Sequence, residues 1–128
     1  MARYADRDEL KAVLDKVVAG LNENEAVRNR IKTANVSMGL IVSDLADAEY
    51  VISFKNGEVL GSTSGAASAS ITVTLTQDVL DRIFSGQLSG ESAYFSGQVK
   101  LRGDEWMAEG LAGYIYQMVP LYKAATGG

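Results

Sequence analysis

The tightest local constraint in this chain is the dipeptide Asn56-Gly57, set between two alternating apolar segments. A two-residue type I′ turn needs positive φ at both central positions, and Asn-Gly tolerates that. The pair therefore predicts a β-hairpin. Tyr50 to Lys55 enters it with Tyr50, Ile52 and Phe54 on one face, and Glu58 to Ser62 returns. Lys55 and Glu58 then face each other with opposite charge across the turn. The segment from Asn35 alternates in the same way, with Val36, Met38, Leu40 and Val42 on one face. The connections between these three strands are short, so the strands are expected to be antiparallel.

Helical periodicity brackets the strands. Leu10, Val13, Leu14, Val17, Val18 and Leu21 recur at three- and four-residue steps and place one apolar stripe on a first helix. Asp6 and Glu9 have the spacing of a cap with its partner, and Asn22 and Glu25 repeat it before Val27 and Ile31. Gly20 is read as the point where the first helix bends or ends. Further on, Ile71, Val73 and Leu75 mark a strand over Ser70 to Leu75. Thr76 caps a helix burying Val79, Leu80, Ile83 and Phe84, and Gly86 stops it. Ser89 caps a short helix through Ala93, Tyr94 and Phe95 that ends at Gly97. Gln98 to Arg102 is the last strand, and Asp104 caps a final helix reaching about Tyr122. The stretch Gly61 to Ser70 has no bulky apolar residue and reads either as a flexible or edge connection or as a flap beside a pocket. The fold class is α+β: about five strands in a mostly antiparallel sheet, with helices packed on one face. Residues 1–128 form one domain, with a core from about residue 8 to 122.

Composition then removes whole classes of function. The chain has no Cys and no His. There is no disulfide framework, no Cys/His zinc site, no thiol nucleophile and no Ser-His-Asp triad. Twelve basic against sixteen acidic residues give a net charge of −4, with the basic residues scattered. That argues against nucleic acid, which needs clustered Lys and Arg. No apolar run is long enough for a membrane span, and the start of the chain lacks the apolar core of a signal peptide. The expected location is cytoplasmic, with no stable membrane insertion and no cofactor.

The final helix carries Trp106, Met107, Leu111, Tyr114, Ile115, Met118, Val119, Leu121 and Tyr122, and few polar residues follow Glu109. An apolar face this wide exceeds one contact. It is either buried on two sides or it touches something outside the domain, whether a second copy, a partner enzyme or a lipid. Gly110 and Gly113 weaken the helix by about 1 kcal/mol each relative to Ala. Met38, Met107 and Met118 supply adaptable packing.

The segment from Ile71 to Asp104 reads ITVTLTQDVLDRIFSGQLSGESAYFSGQVKLRGD. Its alternating strand ending in Leu-Thr, amphipathic helix, Gly86-x-Leu88, Ala93 with its aromatic neighbours, and Gly97-x-Val99-x-Leu101-x-Gly103-Asp104 resemble the sterol carrier protein 2 family of lipid-binding domains. The upstream order of long helix and three strands fits as well. Tyr94 stands where the family usually has Phe. The C-terminal residues carry no peroxisomal address, so the likeness is to a stand-alone prokaryotic member.

The resemblance implies a non-enzymatic domain in which sheet and helices enclose an apolar tunnel. The tunnel would take fatty acids, acyl chains, phospholipids or sterol-like molecules, with the C-terminal helix lining or closing it. The candidate ligand-binding residues are Phe84, Leu88, Tyr94, Phe95, Val99, Leu101, Trp106, Met107, Leu111, Ile115 and Met118. Trp106 and Tyr94 stand out because each joins an apolar body to a polar tip. Two alternatives remain open at this point. One is an accessory subunit or scaffold whose apolar C-terminal helix binds a lipid-metabolising enzyme or a second copy. The other is a small steroid-type isomerase, with an Asp base such as Asp44 or Asp47 and a Tyr donor from Tyr50, Tyr94 or Tyr114.

Overall fold

The computed structural model describes residues 4–103 and 105–127, except for the side chains at 105–109, 111 and 112. Asp104, expected to cap the last helix, lies outside the described residues.

Five strands form one sheet in the order β3-β2-β1-β4-β5. β1 (Asn35–Val42), β2 (Glu49–Lys55) and β3 (Glu58–Ser62) are successive antiparallel neighbours. β4 (Ile71–Leu75) lies parallel to β1, and β5 (Lys100–Gly103) runs antiparallel to β4. The sheet is therefore mixed, with one parallel junction. The hairpin turn has φ of 51° at Asn56 and 82° at Gly57, and Lys55 faces Glu58 across it.

Strand alternation divides the side chains between two faces. Met38, Leu40 and Val42, Tyr50, Ile52 and Phe54, and Ile71 and Leu75 belong to one large buried cluster with the helices. α1 (Arg7–Asn22) contributes Leu10, Leu14, Val17, Val18 and Leu21 to that cluster, and Asp6 caps it by accepting from the Glu9 N–H at 3.0 Å. Gly20 does not end α1. The helix runs through it, and Leu121 packs where a Gly20 side chain would stand: a methyl group there would lie 2.6 Å from Leu121 Cδ2. α2 (Glu25–Arg30) is capped by Asn24, not Asn22. Asn22 instead behaves like a strand edge. Its Nδ2 donates to the Val59 carbonyl at 2.7 Å, and its Oδ1 accepts from the Val59 N–H at 2.8 Å.

α3 (Gln77–Phe84) starts at the Thr76 cap and closes with the Gln87 N–H on the Arg82 carbonyl and the Gly86 N–H on the Ile83 carbonyl. This paired closure is what a left-handed glycine just past a helix permits. α4 (Gly90–Phe95) ends in the same way, with the Gln98 N–H donating to the Ala93 carbonyl at 2.8 Å. That bond holds Gln98 in the helix stop. β5 consequently starts at Lys100, later than the alternation from Gln98 predicts. α5 (Glu105–Thr126) continues past Tyr122 and through Pro120, and packs against α1 and α3.

The connection from β3 to β4 is neither loose nor a sheet edge. It crosses the back face of the sheet as a 3₁₀ turn over Ala66–Ser68 and buries Ala66 completely. Ala66, Ala69, Val51 and Ile41 form a small second core there. Polar bolts fix it. The Ala66 N–H donates to Glu49 Oε1 at 3.1 Å, and Thr72 Oγ1 donates to the Ala66 carbonyl at 2.7 Å. Arg102 donates to the Ala67 carbonyl and, at 2.6 Å, to Thr72 Oγ1. Small residues are needed here because the turn lies directly on Gly39 of β1.

Candidate functional site

The main buried cluster joins the sheet to the helices. Phe84, Val99 and Met118 are buried members of the main cluster, and Leu88, Leu101 and Ile115 pack against it half-buried. Six of the sequence-predicted residues therefore belong to the main core or pack against it. Ala93, 0% exposed, anchors α4 beneath them. Tyr94 and Phe95 do not join that cluster. They touch each other with ring centroids 5.5 Å apart at the surface, and Phe95 is 77% exposed. The side chains of Trp106, Met107 and Leu111 lie outside the described residues.

α5 is fitted to this face by aromatic contacts. Tyr114 stacks on Phe54 of β2 with centroids 4.5 Å apart, and Tyr122 meets Phe84 edge-on at 5.6 Å. Such pairs contribute about 0.5–1.5 kcal/mol beyond area burial. The opposite side of the helix is open: Gly110, Gly113, Tyr116 and Pro120 are exposed, Tyr116 at 77%.

Sequence reasoning missed a polar network at the rear of the same cluster. Tyr4, before α1, is buried. Its N–H donates to Gln77 Oε1 at 2.7 Å, and its phenol meets the Tyr122 phenol. Tyr122 donates its own proton to Asp81 Oδ1 at 2.8 Å. Burial, followed by the bonds to Tyr4 and Asp81 and the charges there, pushes the Tyr122 pKa well above the ordinary phenol range. The partners lie up to 118 positions apart in sequence, so no local spacing could reveal them. The one available signal was that Tyr122 shares the helical phase of Met118 and Ile115.

A second Tyr–carboxylate pair lies across the domain. Tyr50 donates to Asp15 Oδ1 at 2.6 Å, and Lys11 pairs with Asp15 at 2.5 Å. Burial acts to raise the Asp15 pKa, but the bonds from Lys11 and Tyr50 and the Lys11 charge outweigh it, so the carboxyl titrates below its usual range. Burial first, then the bond and charge of Asp15, raise the Tyr50 pKa. A general base is tuned in the opposite direction. Asp44 and Glu49 are structurally engaged, Asp44 accepting from the Gln77 N–H and Glu49 from the Ala66 N–H. A polar cavity of about 270 Å³ lies between the start of α1 and the start of β2, lined by Arg7, Asp8, Lys11, Asp47, Glu49 and Thr63. All six of these side chains are polar or charged. Among the described residues, no cluster of acidic side chains has the arrangement of a metal site, and no helix is long and apolar enough to cross a membrane.

The model of the SCP-2 sterol transfer family matches residues 10–115. The chain belongs to that family. This SCP-2 domain shares its fold with the sterol carrier protein domain 2 of Helicoverpa armigera, at a TM-score of 0.67 and 22% identity over 94% of this chain and 95% of that one. It is also 34% identical over 83 residues to a linear primary-alkylsulfatase of Pseudomonas sp., covering 63% of this chain and 12% of the relative. An inverting sec-alkylsulfatase from Pseudomonas sp. is similar in structure, with a TM-score of 0.59 and 26% identity over 70% of this chain and 14% of that one. The SCP-2 domain thus spans a small fraction of either alkylsulfatase. Family membership supports lipid binding or transfer as the general role.

Proposed function

We propose that the domain binds the apolar body of an amphiphilic lipid between the helix face of the sheet and α5, and carries or presents it without chemistry of its own. A fatty acid, acyl chain, phospholipid or sterol-like molecule meets that description. The observation that supports this most is that Phe84, Leu88, Val99, Leu101, Ile115 and Met118 all lie in or against the main apolar cluster, beside a helix that is itself largely apolar. Trp106, Met107 and Leu111 are proposed to extend the lining along α5, and Tyr94 with Phe95 to stand at its rim. Burying ~300 Å² of alkyl surface at about 25 cal/mol/Å² contributes on the order of 7 kcal/mol before ordering costs. Taken alone, that corresponds to binding on the order of 10 μM with no charged anchor. The test is to purify the protein, extract it with organic solvent and identify what co-purifies by mass spectrometry. A fatty acid or phospholipid supports the reading. A clean apo-protein that also fails to enhance a fluorescent fatty-acid probe overturns it.

The alkylsulfatase likeness favours a second form of the same reading, in which the domain presents an alkyl chain to an enzyme. The exposed side of α5, with Gly113, Tyr116 and Pro120, is the surface proposed for that enzyme or for a second copy. A size measurement of the purified protein, alone and mixed with an alkylsulfatase catalytic domain, separates these cases.

A further inference from the structure

Tyr4 belongs to no helix or strand, yet it is only 2% exposed. Side chains from two helices receive it: Gln77 of α3 bonds its N–H, and Tyr122 of α5, itself bonded to Asp81 of α3, meets its phenol. Gln77 is 3% exposed and Tyr122 is 0% exposed. A phenol has one proton, and Tyr122 gives its proton to Asp81, so the Tyr4 hydroxyl donates to Tyr122. The arrangement therefore accepts one ring bearing one hydroxyl donor, backed by a relay that ends on a carboxylate. Its walls sit in helices and do not depend on Tyr4 for their backbone bonding. Tyr4, Phe84, Met118 and Tyr122 all belong to the same buried cluster as the proposed lipid region.

We propose that the Tyr4 side chain is an internal occupant of a hydroxyl-recognising pocket formed by Tyr122 and Asp81, and that an amphiphile with a ring hydroxyl or phenol on an apolar body displaces it. This rests on the lipid-binding reading and narrows its ligand class. The relay accepts a donor, so it suits a hydroxyl and disfavours an ionised fatty-acid carboxylate, which has no proton to donate. Binding and release of Tyr4 are then coupled, because ring and ligand compete for one place.

The test uses the full chain titrated with 4-hexylphenol and with hexylbenzene, followed by calorimetry and by amide exchange at Tyr4. One extra hydrogen bond predicts about tenfold tighter binding of the phenol. Saturation with it should speed exchange of the Tyr4 N–H at least about tenfold, since that N–H leaves Gln77. Tyr122→Phe should erase the preference for the phenol and retain hexylbenzene binding. Tyr4→Phe, which weakens the internal competitor, should raise 4-hexylphenol affinity in an otherwise intact protein. Equal affinities for the two ligands, or a Tyr4 amide still protected at saturation, overturn the pocket and leave the lipid reading standing. Binding of neither ligand overturns both.

Discussion

Gly39 and Ala66 touch across the back of the sheet, so closely that a methyl group on Gly39 would lie 2.8 Å from Ala66 Cα and nearer still to its carbonyl oxygen. The atoms in the way are backbone, and that backbone is held by Glu49 and Thr72. Gly39→Ala therefore has no cheap escape. It should destabilise the domain by about 2–3 kcal/mol through overpacking and a disturbed Thr72 bond. Urea unfolding followed by circular dichroism measures this. A loss under about 0.5 kcal/mol would mean the crossover is not seated on the sheet.

The hairpin turn is a second local test. Gly57 has a φ of 82°, a region that costs residues with a Cβ about 1–2 kcal/mol. Gly57→Ala should lower stability by that amount, whereas Asn56→Gly, which keeps positive φ accessible, should change it by only a few tenths of a kcal/mol. Equal losses in the two variants would contradict the turn assignment.

The Asp15 site predicts an acid limb. The folded pKa of Asp15 is lowered, so its contribution to stability is present above the unfolded value of about 3.9 and is lost as pH falls through the folded value. Tyr50→Phe removes one of the bonds that lower it. In that variant the Asp15 carboxyl, followed by NMR, should titrate at a higher pH than in the parent, and stability should fall less steeply below pH 4. An unchanged Asp15 titration would contradict the bond.

Alkaline pH reports on the other side of the same chemistry. The folded pKa values of Tyr50 and Tyr122 are both raised, so their stabilising effect is complete below the unfolded value of about 10 and is lost as pH rises above it. Residue-resolved NMR should show both phenols still neutral above pH 10 in the folded protein. Tyr122 ionising near the unfolded value of about 10 in the folded protein would contradict the buried network.

Much of this fold was legible because its determinants are local. The Asn56-Gly57 turn, the Asp6, Thr76 and Ser89 caps and the Gly86 and Gly97 stops all act within a few residues, and each stands where spacing placed it. The parallel pairing of β1 with β4 was not legible, because the Ser/Ala-rich crossover carries no periodicity and is ordered by distant Glu49, Thr72 and Arg102. Gly20 looked like a helix end because its partner, Leu121, is about a hundred positions away in the chain. The burial of Phe84 and Met118 was legible through helix phase. The polar end at Tyr4, Gln77, Asp81 and Tyr122 was not, since it depends on three separate segments meeting.

An alkyl chain is proposed to occupy the region around Met118 and Ile115. Titrating the delipidated protein with a fluorescent fatty acid, beside Met118→Trp and Ile115→Trp, tests it most directly. The account predicts micromolar binding by the parent, and at least about tenfold weaker binding by whichever of the two variants keeps the parent circular dichroism, because the larger ring fills the space. No binding by the parent, or parental affinity in a folded Ile115→Trp, would contradict it.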